Sequence, residues 1–177
     1  MIRPEKHDYP VEKALQFLEP GPVMLLTSHH EGKSNIITLG WHSVLAFPPS
    51  LVGCKIEART HSYQMVLASR ECVINLPGPD MFELATEIGT CSGANVDKFA
   101  RFGLTQKKAD LVSAPLIDEC HACFECRIHD DAMVEHYNYF IFEIIKAHVS
   151  DAPDASSTFH CTPDGEYVLS DEFLRRK

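Results

Sequence analysis

Arg59-Thr60-His61-Ser62 is the stretch of this 177-residue chain whose residue types best suit an anion. Arginine presents a fork of N–H donors that matches phosphate oxygens, and the Thr60 and Ser62 hydroxyls add donors beside it. The stretch follows a strand-like run, residues 51–56, and opens a helical pattern carrying Tyr63, Val66 and Leu67. Unpaired N–H groups at a helix start favour the same anion through the helix dipole, so the spacing reads as a phosphate seat. The plainer alternative is an ordinary N-cap at Thr60 with Arg59 in solvent.

A second stretch, Thr38-Leu39-Gly40-Trp41-His42-Ser43, continues an apolar strand into glycine, aromatic and polar residues. Gly40 lets a group approach the backbone closely, Thr38 and Ser43 offer hydroxyls to ring heteroatoms, and Trp41 can lie against an aromatic system. The alternative is a bulge at Gly40 with Trp41 plugging the end of a barrel. Lys98, in Asn95-Val96-Asp97-Lys98-Phe99, reads equally as a solvated helix lysine or a ligand contact. Cys120-His121-Ala122-Cys123-Phe124-Glu125-Cys126 has the look of a metal motif. Strand alternation, however, sends Cys123 and Cys126 to opposite faces, and the expectation is that these thiols hold no metal. No Gly-x-Gly-x-x-Gly follows a strand and no P-loop pattern occurs, so a Rossmann or P-loop nucleotide site is not supported. Nothing pairs a serine nucleophile with a particular histidine, and no catalytic residue is assigned.

The elements that must position these groups are mostly strands. Residues 23–28 and 35–39 read as a hairpin whose turn holds Gly32, followed by strands at 51–56, 72–76, 121–129, 139–149 and 166–169. Helical patterns occupy 11–18, opened by Pro10, and 80–88, stopping at Gly89. A short helix over 96–102 is capped by Asn95 and ended by Gly103, and residues 150–157 form a polar loop. Strands that arrive as neighbours with short helices at their ends imply a mainly β, antiparallel, closed or partly closed barrel. The length suits one domain. A net charge of −9 opposes a nucleic-acid surface, and no apolar run reaches membrane-span length. With no secretory signal pattern, the expected location is cytoplasmic, and the seven cysteines are expected to be reduced thiols.

Gly32-Lys33-Ser34-Asn35, the Thr38–Ser43 stretch, Pro48-Pro49-Ser50-Leu51, Arg59-Thr60-His61-Ser62, Asn75-Leu76-Pro77 and Asp97-Lys98-Phe99 occur in an order and spacing that resembles the flavin reductase-like, flavoredoxin-type family. Phe124-Glu125-Cys126 and the Asp164-Gly165-Glu166-Tyr167 tail extend the likeness over nearly the whole chain from about Pro20. The resemblance implies an FMN-binding split β-barrel with Greek-key-like order, spanning 1–177 as one domain with residues 1–20 as a helical extension. It implies a homodimer with flavin near the subunit interface. Thr38, Leu39, Gly40, Trp41, His42 and Ser43 would line the ring, with Cys54, Lys55 and Ile56 beside it. Arg59, His61 and Ser62, with Thr60 among them, would hold the phosphate, and Lys98 would lie near the flavin. The implied activity is hydride transfer from a transiently held NAD(P)H to FMN, with electrons passing on to a monooxygenase or another acceptor. The alternatives are an FMN electron carrier without fast nicotinamide chemistry and a metal-binding structural protein built on the cysteine cluster. Two departures stand out: Phe142 replaces a common glycine, and Tyr137 or Asn138 replaces a common histidine.

Overall fold

The computed structural model describes residues 21–150, 158–161 and 167–170. The expected helix at 11–18, most of the polar loop at 150–157 and the Asp164-Gly165 turn lie outside them. Seven strands form one antiparallel sheet: β1 (Met24–His30), β2 (Lys33–Leu39), β3 (His42–Ala46), β4 (Leu51–Lys55), β5 (Glu71–Leu76), β8 (Ala122–Asp130) and β9 (Tyr139–Val149). Their order is β2-β1-β5-β8-β9-β4-β3, so β2 and β3 are the two edges. Only Gly40 and Trp41 separate β2 from β3, and three residue steps span at most about 11 Å. The sheet must therefore curl until its edges nearly meet, which makes a split barrel. A Lys55 N–H donating to the Trp41 carbonyl at 3.0 Å ties the seam on one side.

Short ladders flank the barrel, β6 (Gln106–Lys107) with β7 (Leu116–Ile117) and β10 (Thr158–Cys161) with β11 (Tyr167–Ser170). The β1–β2 hairpin turns through Glu31 and Gly32 at φ 49° and 75°. Two positive φ values make the turn whose twist suits a two-residue hairpin, and glycine takes the second at no steric cost. β1 is buried on both faces by simple alternation. Met24 and Leu26 enter the barrel core with Phe140 and Phe142, while Val23 and Leu25 enter a second core under the helices.

Helix α1 (His61–Ser69) is capped by Thr60, whose Oγ1 accepts the Tyr63 N–H at 3.3 Å, and it buries Ser62, Tyr63, Met65 and Val66. A 3₁₀ turn (Pro79–Met81) leads into α2 (Phe82–Thr90), which runs one residue past Gly89. Helix α3 (Lys98–Phe102) is capped by Asp97 rather than Asn95, through Asp97 Oδ1 and the Ala100 N–H at 3.1 Å. β2 ends at Leu39, where the 35–39 strand is expected to end, because the chain crosses the split at Gly40-Trp41 and starts β3, an element the sequence does not predict, on the other edge. Among the described residues, no helix is long and apolar enough to cross a membrane.

Cys123 packs with Val73 and Leu116 outside the barrel, and Cys126 lies inside it. Burial pushes the Cys123 thiol up to about 11 and raises Cys54 as well, which keeps both protonated. Phe142 stacks on Phe140 at 5.7 Å between centroids, so this departure from the family pattern is a core substitution. Tyr137, on α4 (Val134–Tyr137), is exposed.

Gly53 on β4 lies under the Tyr139 ring, and a Cβ there would collide with that ring and its hydroxyl. Gly53→Ala is therefore expected to destabilise the fold by about 1–3 kcal/mol, the usual cost of overpacking. Urea unfolding measures it, and a variant within 0.5 kcal/mol of the parent (the order of a surface change, ~0.5) would show that Tyr139 moves aside freely.

Candidate functional site

The crossing at Gly40-Trp41 exposes backbone where a closed barrel would bury it. A cavity of about 250 Å3 opens there, lined by Ile37, Thr38, Leu39, Gly40, Trp41, Lys55, Glu57 and Thr60. A second cavity, about 230 Å3, lies against the same strand segment and shares Thr38, Gly40 and Trp41, with Val23 and Tyr167 on its far wall. Apart from Gly40 and its two chain neighbours, no described atom lies within 4 Å of where a Gly40 Cβ would stand, so the floor shared by the two is open.

Charge on the rim is arranged by short contacts. Lys55 Nζ pairs with Glu57 at 2.6 Å and sits 4.4 Å from the Trp41 ring centroid, an arrangement in which cation and ring attract. The hydrogen bond and charge of Lys55, with a smaller contribution from Arg59, hold the Glu57 carboxyl below its ordinary range. Thr38 Oγ1 donates to the Ala85 carbonyl at 2.5 Å, which leaves its lone pairs to accept from a ligand. Thr60 Oγ1 donates to the Glu57 carbonyl at 2.8 Å and fixes the bend into α1.

Six of the residues expected at a ligand therefore come together: Thr38, Leu39, Gly40, Trp41, Lys55 and Thr60. Others are placed elsewhere. His42 Nε2 bonds the Pro22 carbonyl at 2.9 Å, and Ser43 Oγ bonds Tyr139 Oη. Cys54 and Ile56 are fully buried in the barrel core, because alternation along β4 and beyond it turns them inward and Lys55 outward. Ser62 is buried and accepts from Asn35 Nδ2 at 2.9 Å, which pins α1 to β2. Arg59 is exposed, between Glu57 and Thr60 of the first cavity in sequence but not part of its lining, whereas His61 opens into a third one. The anion seat is thus divided by the first turn of α1.

Lys98 lines none of these cavities. It is buried, which lowers its affinity for a proton, and Nζ donates to the Ile88 carbonyl at 2.8 Å near the end of α2, where carbonyl dipoles favour a cation. Asn35, whose residue type alone gives no sign of a role, is buried on β2. Its Nδ2 is bonded, but its buried Oδ1 has no partner and lies against Gly93.

These features fit a flavin. An open glycine floor admits a planar ring against the backbone, Thr38 supplies an acceptor, Trp41 an aromatic wall, and Lys55 a positive charge. The chain belongs to the flavin reductase-like family, whose domain model matches residues 18–164. An uncharacterized protein of Archaeoglobus fulgidus is 30% identical over 142 residues, which is 80% of each chain. FMN reductase (NADH) RutF of Stutzerimonas stutzeri is 23% identical over 133 residues, 75% of this chain and 73% of that one. Among solved structures, flavoredoxin of Desulfovibrio vulgaris superposes with a TM-score of 0.80 at 25% identity, covering 89% of this chain and 90% of that one. The fold is that of the FMN-binding split barrels.

Proposed function

We propose that the protein binds FMN against Gly40 and accepts a hydride onto it from NAD(P)H, acting as a flavin-dependent oxidoreductase that hands electrons to a further acceptor. The open floor at Gly40, walled by Thr38 and Trp41 and faced by Lys55, carries the reading. When bound, FMN supplies the hydride acceptor. The chain's own residues bind and orient it. The Lys55 ammonium, steadied by Glu57 and Trp41, favours negative charge gained by the ring, and Arg59 with the start of α1 offers donors to a phosphate. No side chain is required to move a proton. The likeness to a protein named as an NADH-linked FMN reductase supports nicotinamide as the donor, and the likeness to flavoredoxin supports the competing reading of an FMN electron carrier. Anaerobic mixing of the FMN-loaded protein with NADH and with NADPH decides between them. Rapid bleaching of the flavin absorbance is the expected result, and a flavin that stays oxidised with both would leave the electron carrier.

The working unit in this reading is a homodimer. Among the described residues β3 is an unpaired sheet edge that begins beside Trp41, and it exposes Val44 and, in the following turn, Phe47, both 85% accessible. Natural proteins seldom leave an apolar strand edge uncovered, and a second copy covers it symmetrically. Each copy buries its Phe47, at about 1.5–3 kcal/mol per side chain. Phe47→Asp is accordingly expected to raise the dimer dissociation constant at least about a hundredfold, or about 2.7 kcal/mol. Sedimentation equilibrium over a dilution series measures this, and a variant that stays dimeric to the same dilution as the parent would remove β3 from the interface.

A further inference from the structure

The third cavity, about 460 Å3, lies at the other end of β2 from the Gly40 cavity and has the size of a ligand subsite. Its cationic and titratable nitrogens come from Lys33, His29 and His61, and its hydroxyl and amide groups include Ser34 and Asn95. Among its lining residues Asp97 is the one acid, and Asp97 Oδ1 already accepts the Ala100 N–H that starts α3. His29 Nδ1 is engaged with Ser34 Oγ at 3.0 Å, which orients the imidazole and leaves Nε2 for another partner. The Lys33 ammonium and the N–H groups that the two imidazoles can present are the donors an anion needs, so an anionic group suits the cavity.

Its position relative to the first cavity narrows the choice. Ser34 lines one and Thr38 the other, four residues apart, or about 13 Å along a strand. Thr60 and His61, adjacent in sequence, likewise face different cavities. A ligand that spans both needs a flat ring at one end and phosphate at the other. FMN and a nicotinamide dinucleotide share that chemistry, but the reading above gives the FMN phosphate to Arg59, which does not line this cavity, and the volume here exceeds a single phosphate group.

We propose that this cavity binds the phosphates of the nicotinamide dinucleotide, with Lys33 as the main contact and His29 as its companion. The proposal rests on the FMN and nicotinamide reading above and names how the co-substrate is held. Lys33 is exposed and begins β2, so its replacement spares the core.

Calorimetric titration of the FMN-loaded protein with NADP+ and with NAD+ tests this without requiring turnover. Lys33→Ala is expected to weaken binding of at least one dinucleotide about tenfold, the effect of losing one charge-assisted hydrogen bond. FMN affinity, measured by fluorescence on the apo protein, is expected to stay within threefold of the parent, and Lys33→Arg is expected to restore the dinucleotide. Unchanged binding of both dinucleotides in Lys33→Ala overturns the proposal. So does a loss of FMN affinity that riboflavin does not share, since the cavity would then hold the flavin's own phosphate. If Lys33 governs dinucleotide binding while neither NADH nor NADPH bleaches the flavin, the phosphate site stands and the hydride-transfer reading falls.

Discussion

Gly40→Leu is expected to fold as the parent does and to lose FMN affinity by at least about a hundredfold, equivalent to about 2.7 kcal/mol. Two observations separate the effect on binding from any effect on the fold. Beyond the two chain neighbours, no described atom lies within 4 Å of a Cβ at this position, so a side chain enters open space instead of a packed neighbour. Both cavities beside the β2–β3 crossing are floored by the same glycine, so a leucine that leaves one enters the other. Removing a glycine also lowers the entropy of the unfolded chain, which offsets minor strain. The apo variant should therefore melt within a few degrees of the apo parent. Fluorescence titration with FMN reads the loss. Affinity within threefold of the parent would place the ring elsewhere, and Gly40→Ala, which adds one methyl, should fall between the two.

Much of the barrel was legible because its strands bury both faces or alternate cleanly. The β-branched and aromatic pattern of residues 139–149 predicts a strand with the observed ends, and Gly32 marks the hairpin turn because glycine suits a positive φ. β3 was not found. Its burial follows no period of two, since Val44 faces outward from an edge at the split and only the closed topology shows that. At the site, residue type identified donors but not their direction. Strand alternation from Cys54 to Ile56 turns Lys55 outward and its two neighbours inward, a parity that is legible in the sequence. Ser62 and Lys98 were harder. Each is a polar side chain whose burial depends on a tertiary partner, Asn35 for one and the end of α2 for the other. The same holds for the choice of Asp97 over Asn95 as a cap, which follows from the burial of Lys98 and Phe99 on the first turn of α3.

Glu125 carries the largest expected stability effect outside the site. Its side chain is fully buried on β8, yet both carboxylate oxygens are satisfied. Oε1 accepts from the Asp110 N–H at 2.9 Å and from His148 Nε2 at 2.7 Å, and Oε2 accepts from the Leu111 and Val112 N–H groups at 2.6 and 3.1 Å. A carboxylate only accepts, so the proton of His148 must sit on Nε2. Burial alone would raise the Glu125 carboxyl, but the His148 and backbone hydrogen bonds more than reverse it and hold it below the ordinary range. The carboxylate thus binds three consecutive backbone N–H groups of the 110–112 loop, and Arg127 adds a bond to the Leu111 carbonyl at 2.9 Å. Glu125→Ala strands the buried Val112 N–H and frees the loop, with an expected loss of about 3–5 kcal/mol, the range for breaking a buried charged pair. Glu125→Gln keeps one acceptor and should cost less. The pH dependence follows from the lowered proton affinity. The contribution of Glu125 is complete above the unfolded carboxylate value near pH 4.3 and is lost as pH falls through the lower folded value. The gap between parent and Gln variant should therefore close on acidification below about pH 4.3. Urea unfolding across that range measures it. A Glu125→Ala loss under about 1 kcal/mol, the worth of an ordinary hydrogen bond, would mean that the loop is held without it by Arg127 and by Glu71, whose Oε1 accepts the Ser113 N–H.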